Sequence, residues 1–182
     1  MIVVLSDTHR TERPGLTGPI REAVQTADRV IHAGDFTTEA VLEGFQSLTD
    51  SFVAVAGNRD SPTVSDRLPS ARTLEIGEFT VAVTHTQSGG QTGLTYFGAE
   101  RDADLVISGH THHPHFVSAE GPALVNPGSH ADPRGGDPTY VELELRNGAL
   151  QGRIRTPFGD EKQVFRMEGR SGAGGDTARG GD

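Results

Sequence analysis

Ile2-Val-Val-Leu-Ser-Asp-Thr-His9 sets the grammar of the chain: a short, largely β-branched apolar run that breaks off into side chains able to bind a metal. The pattern returns four times. Arg29-Val-Ile-His-Ala33 leads into Gly34-Asp35, and Phe52-Val-Ala-Val-Ala56 into Gly57-Asn58. The run from Phe79 to Thr84 leads into His85, and Asp104-Leu-Val-Ile-Ser108 into Gly109-His110-Thr111-His112. Apolar runs of this length read as buried strands. Between the first two, Ile20, Ala23, Val24 and Ala27 fall at helical spacing, which predicts a helix over 18–27. Between the next two, Val41, Leu42, Phe45 and Leu48 predict a second helix, with Thr37 or Thr38 as its cap. Strands separated by single helices imply βαβ units and a mainly parallel sheet, hence an α/β fold.

Outward from this core the pattern is less regular. Residues 61–70, with Pro62 and Pro69, read as a loop, and 72–76 with 79–84 as a hairpin across Gly77-Glu78. Residues 88–93 read as a flexible loop and 94–101 as a helix. Residues 116–118 and 123–125 suggest another hairpin, followed by the loop Asn126-Pro-Gly-Ser129. Residues 139–145 alternate apolar and polar and pair with 150–155 across Asn147-Gly148, a strong hairpin signal. Residues 1–168 are therefore expected to form one domain. Residues 169–182, with six glycines and no large apolar side chain, are expected to form a disordered tail.

Composition narrows the function. With 182 residues the chain suits a single core. No run approaches the ~20 apolar residues of a membrane span, and no signal peptide precedes the first strand, so a cytoplasmic location is expected. The absence of cysteine removes disulfides, thiolate metal sites and cysteine nucleophiles. A net charge of −9 disfavours binding to polyanions such as nucleic acids. The basic residues are fifteen arginines and one lysine, Lys162, a bias that fits either salt adaptation or codon usage.

Five strands ending in Asp7 with His9, Asp35, Asn58, His85, and His110 with His112 put their ligands in one place, because α/β sheets bind ligands beyond the carboxyl ends of their strands. Imidazole, carboxylate and amide oxygen together suit Mn²⁺, Fe²⁺, Ni²⁺ or Zn²⁺. Seven ligands exceed what one ion with an open position needs, and suit two ions sharing a carboxylate. Such a pair binds phosphate, lowers the pKa of a bridging water and stabilises in-line displacement, which points to phosphoester hydrolysis. In an extended chain, residues i and i+2 lie on one side, so Asp7 with His9 can reach one ion, and so can His110 with His112. Gly34, Gly57 and Gly109 each precede a ligand, where glycine permits a sharp turn and close backbone approach.

D-x-H at Asp7 to His9, GD at Gly34-Asp35, GN at Gly57-Asn58, the lone His85 and GHTH at Gly109 to His112, in this order, resemble the calcineurin-like metallophosphoesterases. The compact size and Asn126-Pro-Gly-Ser129 resemble the small bacterial and archaeal phosphodiesterase branch, which shares the fold of retromer subunit 29. Over residues 1–155 the resemblance implies a four-layer α/β/β/α sandwich. It implies one ion on Asp7, His9, Asp35 and His112 and a second on Asp35, Asn58, His85 and His110, with Asp35 as the bridge and a bridging hydroxide as nucleophile. Manganese is the first expectation, with Ni, Zn or Fe as alternatives, and the substrate a small phosphoester, most simply a diester. Relatives often form homo-oligomers, dimers or tetramers. The retromer-type relatives supply the competing reading, a non-catalytic, metal-binding interaction scaffold of the same fold.

Two departures bear on catalysis. Many relatives have His directly after GN, where this chain has Arg59. An arginine is too basic for a general acid, but it can grip a phosphate oxygen or simply remain solvated. Where the family often has H-G-H, this chain has His85-Thr86-Gln87. Outside the constellation, His32 reads as core or as support for the ligands, His113 and His115 as surface or substrate rim, and His130 carries no assignment. Loops 10–18, 59–70, 86–93 and 130–138 are the expected seats of specificity.

Overall fold

The computed structural model describes residues 1–118 and 120–169. Two mixed sheets stack face to face. The first, in the order β11-β10-β9-β1-β2-β3, comprises β1 (Ile2–Leu5), β2 (Arg29–His32), β3 (Phe52–Ala54), β9 (Tyr140–Arg146), β10 (Ala149–Arg155) and β11 (Glu161–Glu168). The second, in the order β4-β5-β6-β8-β7, comprises β4 (Ala71–Ile76), β5 (Phe79–Thr84), β6 (Leu105–Ile107), β7 (His115–Val117) and β8 (Ala123–Asn126). Among the described residues four helices complete the fold: α1 (Pro19–Thr26), α2 (Glu39–Gln46), α3 (Pro62–Arg67) and α4 (Gln91–Ala99).

Strand alternation sorts the side chains into layers. On β1, Val4 faces the second sheet and packs with Ile31, Val81, Val83, Leu105 and Ile107 in the inter-sheet core. Its neighbours Val3 and Leu5 face outward, onto Ile20 and Val24 of α1, Val41, Leu42 and Phe45 of α2, and Val64 of α3. On the far side, Ala82, Val106 and Leu124 meet Leu94 and Phe97 of α4. Helices, sheet, sheet and helix thus form the four layers of an α/β/β/α sandwich.

The mainly parallel sheet is corrected. β1, β2 and β3 run parallel, as do β5, β6 and β8, but antiparallel strands flank both triplets. The hairpin 139–155 joins the first sheet through β1–β9 pairing. Segment 61–70 is not all loop: Ser61 caps α3 by accepting from the Val64 N–H, and Pro62 occupies its first turn, where a missing N–H costs nothing. Thr38 stands at the N-cap of α2 but makes no capping bond; its hydroxyl donates to the Thr11 carbonyl instead. Of the expected tail, residues 170–182 lie outside the described residues. Among the described residues no helix is long and apolar enough to cross a membrane.

Candidate metal centre

Beyond the carboxyl ends of β1, β2, β3, β5 and β6 the chain turns sharply, and the turns interlock within each sheet and, through the His110 N–H to Asp7, across the two. The Asp7 N–H donates to the Gly34 carbonyl at 3.0 Å, the His9 N–H to Asp35 at 3.1 Å, and the Gly109 N–H to His85 at 3.0 Å. The glycines serve mainly as points of close approach. A Cβ at Gly57 would lie 2.1 Å from Asp35 Oδ1, and one at Gly109 would lie 1.9 Å from Ser6 Oγ. Only Gly34 of the three has a left-handed backbone, with φ 94°.

The expected extended geometry of the paired ligands does not occur. Asp7, His9, His110 and His112 have φ of 53°, 42°, 73° and 62°, and Asp35 has 63°, all left-handed. Asp7 and His9 still converge, with His9 Nε2 3.8 Å from Asp7 Oδ1. His110 and His112 part company. His112 Nε2 lies 3.3 Å from Asp7 Oδ1, whereas His110 Nδ1 lies 2.9 Å from Asn58 Oδ1. A kinked backbone turns successive side chains to different sides, so these two histidines face different halves of the centre.

One half gathers Asp7, His9 and His112, with the His9 and His112 rings stacked at 4.9 Å. The other gathers Asn58, His85 and His110, with Asn58 Oδ1 2.9 Å from both His85 Nε2 and His110 Nδ1. Asp35 Oδ2 lies between the halves, 3.2 Å from His9 Nε2 and 3.3 Å from His85 Nε2. By proximity Asp7 also groups with Asp35 and His85. Its oxygens, however, already accept from the His110 N–H at 3.1 and 3.0 Å, and Oδ2 also accepts from Ser6 Oγ at 2.7 Å. Asp35 uses Oδ1 for the Arg59 N–H at 2.7 Å and leaves Oδ2 to both sides. Asp35 is therefore the better placed of the two to bridge.

Electrostatics agree with a cation site. Burial opposes charge on Asp35, yet His85 and His9 hold its carboxyl well below the usual carboxylate range. Asp35 and then Asp7 raise the His9 imidazole to about 9. Burial works against charging His85, but Asp35 outweighs it and raises its pKa. Among the described residues, His9 Nε2 and His112 Nε2 are buried without a hydrogen-bond partner, both beside carboxylates. Buried polar atoms are normally satisfied, and a divalent ion would satisfy these two.

Supporting residues surround the candidate ligands, and one of them, Asp60, was not singled out from the sequence. Asp60 accepts from the N–H groups of Gly57 (2.7 Å), Thr37 (2.8 Å) and Asp35 (3.3 Å), clamping together the loops that carry the candidate ligands Asp35 and Asn58. Ser129 Oγ donates to the Asp7 carbonyl at 2.6 Å, and Asn126 Nδ2 to Gly109 at 2.7 Å, which gives the Asn126-Pro-Gly-Ser129 stretch a purpose. His112 Nδ1 lies 2.5 Å from the Asp132 carbonyl, an outer partner that fixes the ring and leaves Nε2 for the centre. For Asp60 the only clue in sequence was a polar residue close to Asn58, which is a weak signal. His32 is fully buried, stacked on Phe36, and bonds both Thr8 and the Gly34 N–H. Arg59 is exposed, and among the described residues its guanidinium has no ion-pair partner. His113 is exposed, His115 lies on β7, and His130 is buried against the Pro14 carbonyl.

Residues 1–148 match the family model of the calcineurin-like phosphoesterase superfamily domain. A protein named probable metallophosphoesterase from Methanothermobacter thermautotrophicus is 34% identical over 158 residues, which cover 85% of this chain and 91% of that one. A phosphodiesterase from Methanocaldococcus jannaschii is 27% identical over 159 residues, 79% of this chain and 92% of that one. The crystal structure of wild-type Vps29 with zinc from Entamoeba histolytica superposes with a TM-score of 0.71 at 22% identity, over 91% of this chain and 97% of that one.

Proposed function

The chain belongs to the calcineurin-like phosphoesterase superfamily, and on that premise we propose that it is a phosphodiesterase working with two divalent metal ions. Asp7, His9, Asp35 and His112 would hold one ion, and Asp35, Asn58, His85 and His110 the other. The observation that carries this reading is Asp35 Oδ2, 3.2 Å from His9 Nε2 on one side and 3.3 Å from His85 Nε2 on the other. The imidazole, carboxylate and amide set fits manganese first, with nickel, zinc or iron as substitutes. When bound, the ions would polarise the phosphoryl group and make a water acidic enough to act as nucleophile.

The chain's own residues do the rest. Hydrolysis adds the elements of water across one P–O ester bond, leaving a phosphate monoester and an alcohol. Arg59, tethered by its N–H to Asp35, offers a planar pair of donors to a non-bridging phosphate oxygen. It cannot protonate the departing oxygen at neutral pH. A diester with a good leaving group therefore suits this site better than an alkyl monoester. Small phosphoesters fit a chain of net charge −9 better than long polyanions do. The likeness to Vps29 supports a second reading, a metal-binding interaction scaffold.

Turnover of bis-p-nitrophenyl phosphate after reconstitution with Mn²⁺, Ni²⁺ or Zn²⁺ decides between them. The phosphodiesterase reading expects about two metals per chain and a loss of at least about 100-fold in turnover for Asp35→Ala. No turnover with any of the three metals, or equal rates in wild type and variant, leaves the scaffold.

A further inference from the structure

A groove of about 580 Å³ runs from the metal centre along α4, and its inner end is lined by Asn58 and His85. Its outer wall is one stripe of the helix and the turn after it: Gly93, Tyr96, Phe97, Glu100 and Arg101, at helical spacing. Two close approaches fix that wall. A Cβ at Gly93 would lie 2.0 Å from the Ser88 carbonyl oxygen, and one at Gly98 would lie 2.5 Å from Val106 Cγ2 on β6. The helix thus rests directly on the loop after His85 and on the sheet.

The lining has a definite chemistry. Tyr96 is 69% exposed, a large ring left uncovered at the side of a polar site. The Arg101 guanidinium lies 3.8 Å over the Phe97 ring, donates to the Phe97 carbonyl at 2.9 Å and sits 3.6 Å from the Glu100 carboxylate. Its plane is held by these contacts rather than left to swing. Beside Gly93 in the lining, Gln87 stands where many relatives carry a histidine. Its Nε2 donates to Thr84 Oγ1 at 3.0 Å, which leaves one amide N–H and the carbonyl oxygen to offer. An uncovered aromatic ring, a fixed cation and a side chain that both donates and accepts fit a flat ring with a polar edge.

We propose that this groove seats an aromatic organic group of the phosphoester, with Tyr96 as its stacking platform and Gln87 reading its edge. The proposal rests on the phosphoesterase reading above, since the phosphate must be anchored at the centre for the groove to be reached. It makes the chain selective for esters of nucleosides or other aryl-bearing alcohols over esters of small alkyl alcohols.

Calorimetric titration of the metal-loaded full chain with inorganic phosphate, phenyl phosphate and thymidine 5′-phosphate tests it without turnover. Both aromatic esters should bind roughly tenfold tighter than inorganic phosphate, and Tyr96→Ala should remove that advantage while Tyr96→Phe keeps it. A preference for the thymidine ester that Gln87→Ala abolishes assigns the groove to a nucleoside, and equal affinity for the two esters assigns it to a plain aryl group. Equal affinity for all three ligands, or an aromatic advantage untouched by Tyr96→Ala, overturns the groove. Failure of inorganic phosphate to bind the wild type at all overturns the phosphoesterase reading instead.

Discussion

Asp7, His9, Asp35, His110 and His112 sit in a backbone region that side-chain-bearing residues adopt only at a cost of about 1–3 kcal/mol each. Such conformations persist where neighbours enforce them, and Asp60 is the enforcer at Asp35. Its carboxylate takes three N–H groups from the two loops that carry Asp35 and Asn58. Asp60→Ala should lower unfolding free energy in urea by about 2–4 kcal/mol and weaken metal uptake, though Asp60 lies outside the candidate ligand set. His130 makes a second prediction at this scale. Its Nε2 lies 3.0 Å from the Pro14 carbonyl, and its buried Nδ1 has no hydrogen-bond partner among the described residues. Burial lowers its pKa from 6.5 to about 4. Between those values the unfolded chain binds the extra proton, so the contribution is complete above pH 6.5 and drains away as pH falls through 4. His9, raised to about 9, acts in the opposite sense, favouring the fold at low pH and losing that as pH rises. Metal-free wild type should therefore lose about 2 kcal/mol more between pH 7 and pH 5 than His130→Gln does, measured by urea unfolding at both values.

At the scale of elements, legibility followed periodicity. β1, β2, β3, β5, β6 and the hairpin β9–β10 could be read because their apolar runs or alternation are dense and unbroken. Their five ligand-bearing ends could be read for the same reason, since a polar group that stops an apolar run is conspicuous. α3 was missed because it is short and buries only Val64. β11 was missed because Phe165 is its single buried residue, between an exposed Val164 and an exposed Arg166, as befits an edge strand. The ligand turns were misread as extended because left-handed φ at non-glycine residues leaves no mark in composition. β11 is held where Phe165 stacks on Phe116 of β7 at 4.0 Å, over a Gly152 that has no room for a Cβ. Phe165→Ala should cost about 3–5 kcal/mol, read by urea unfolding, and should raise amide exchange across β10 and β11 more than at the metal centre.

At the scale of the whole molecule, the centre draws on both sheets. Asp7, His9, Asp35 and Asn58 follow strands of the first, and His85, His110 and His112 strands of the second. Ions bound there would tie the two sheets together in the native state alone. Saturating Mn²⁺ or Zn²⁺ should raise the melting temperature by about 10 °C over the chelated chain, and Asp35→Ala should lose most of that rise. The same topology has a consequence for biosynthesis. β1 pairs on one side with β2, which follows within 30 residues, and on the other with β9, which begins at Tyr140. During vectorial synthesis the ribosome releases the whole second sheet before the strand that covers β1. Until then the nascent chain carries an uncovered apolar edge at Ile2 to Val4, open to association with other chains. The interval between the emergence of α1 and of β9 is thus the window in which a chaperone has most to protect.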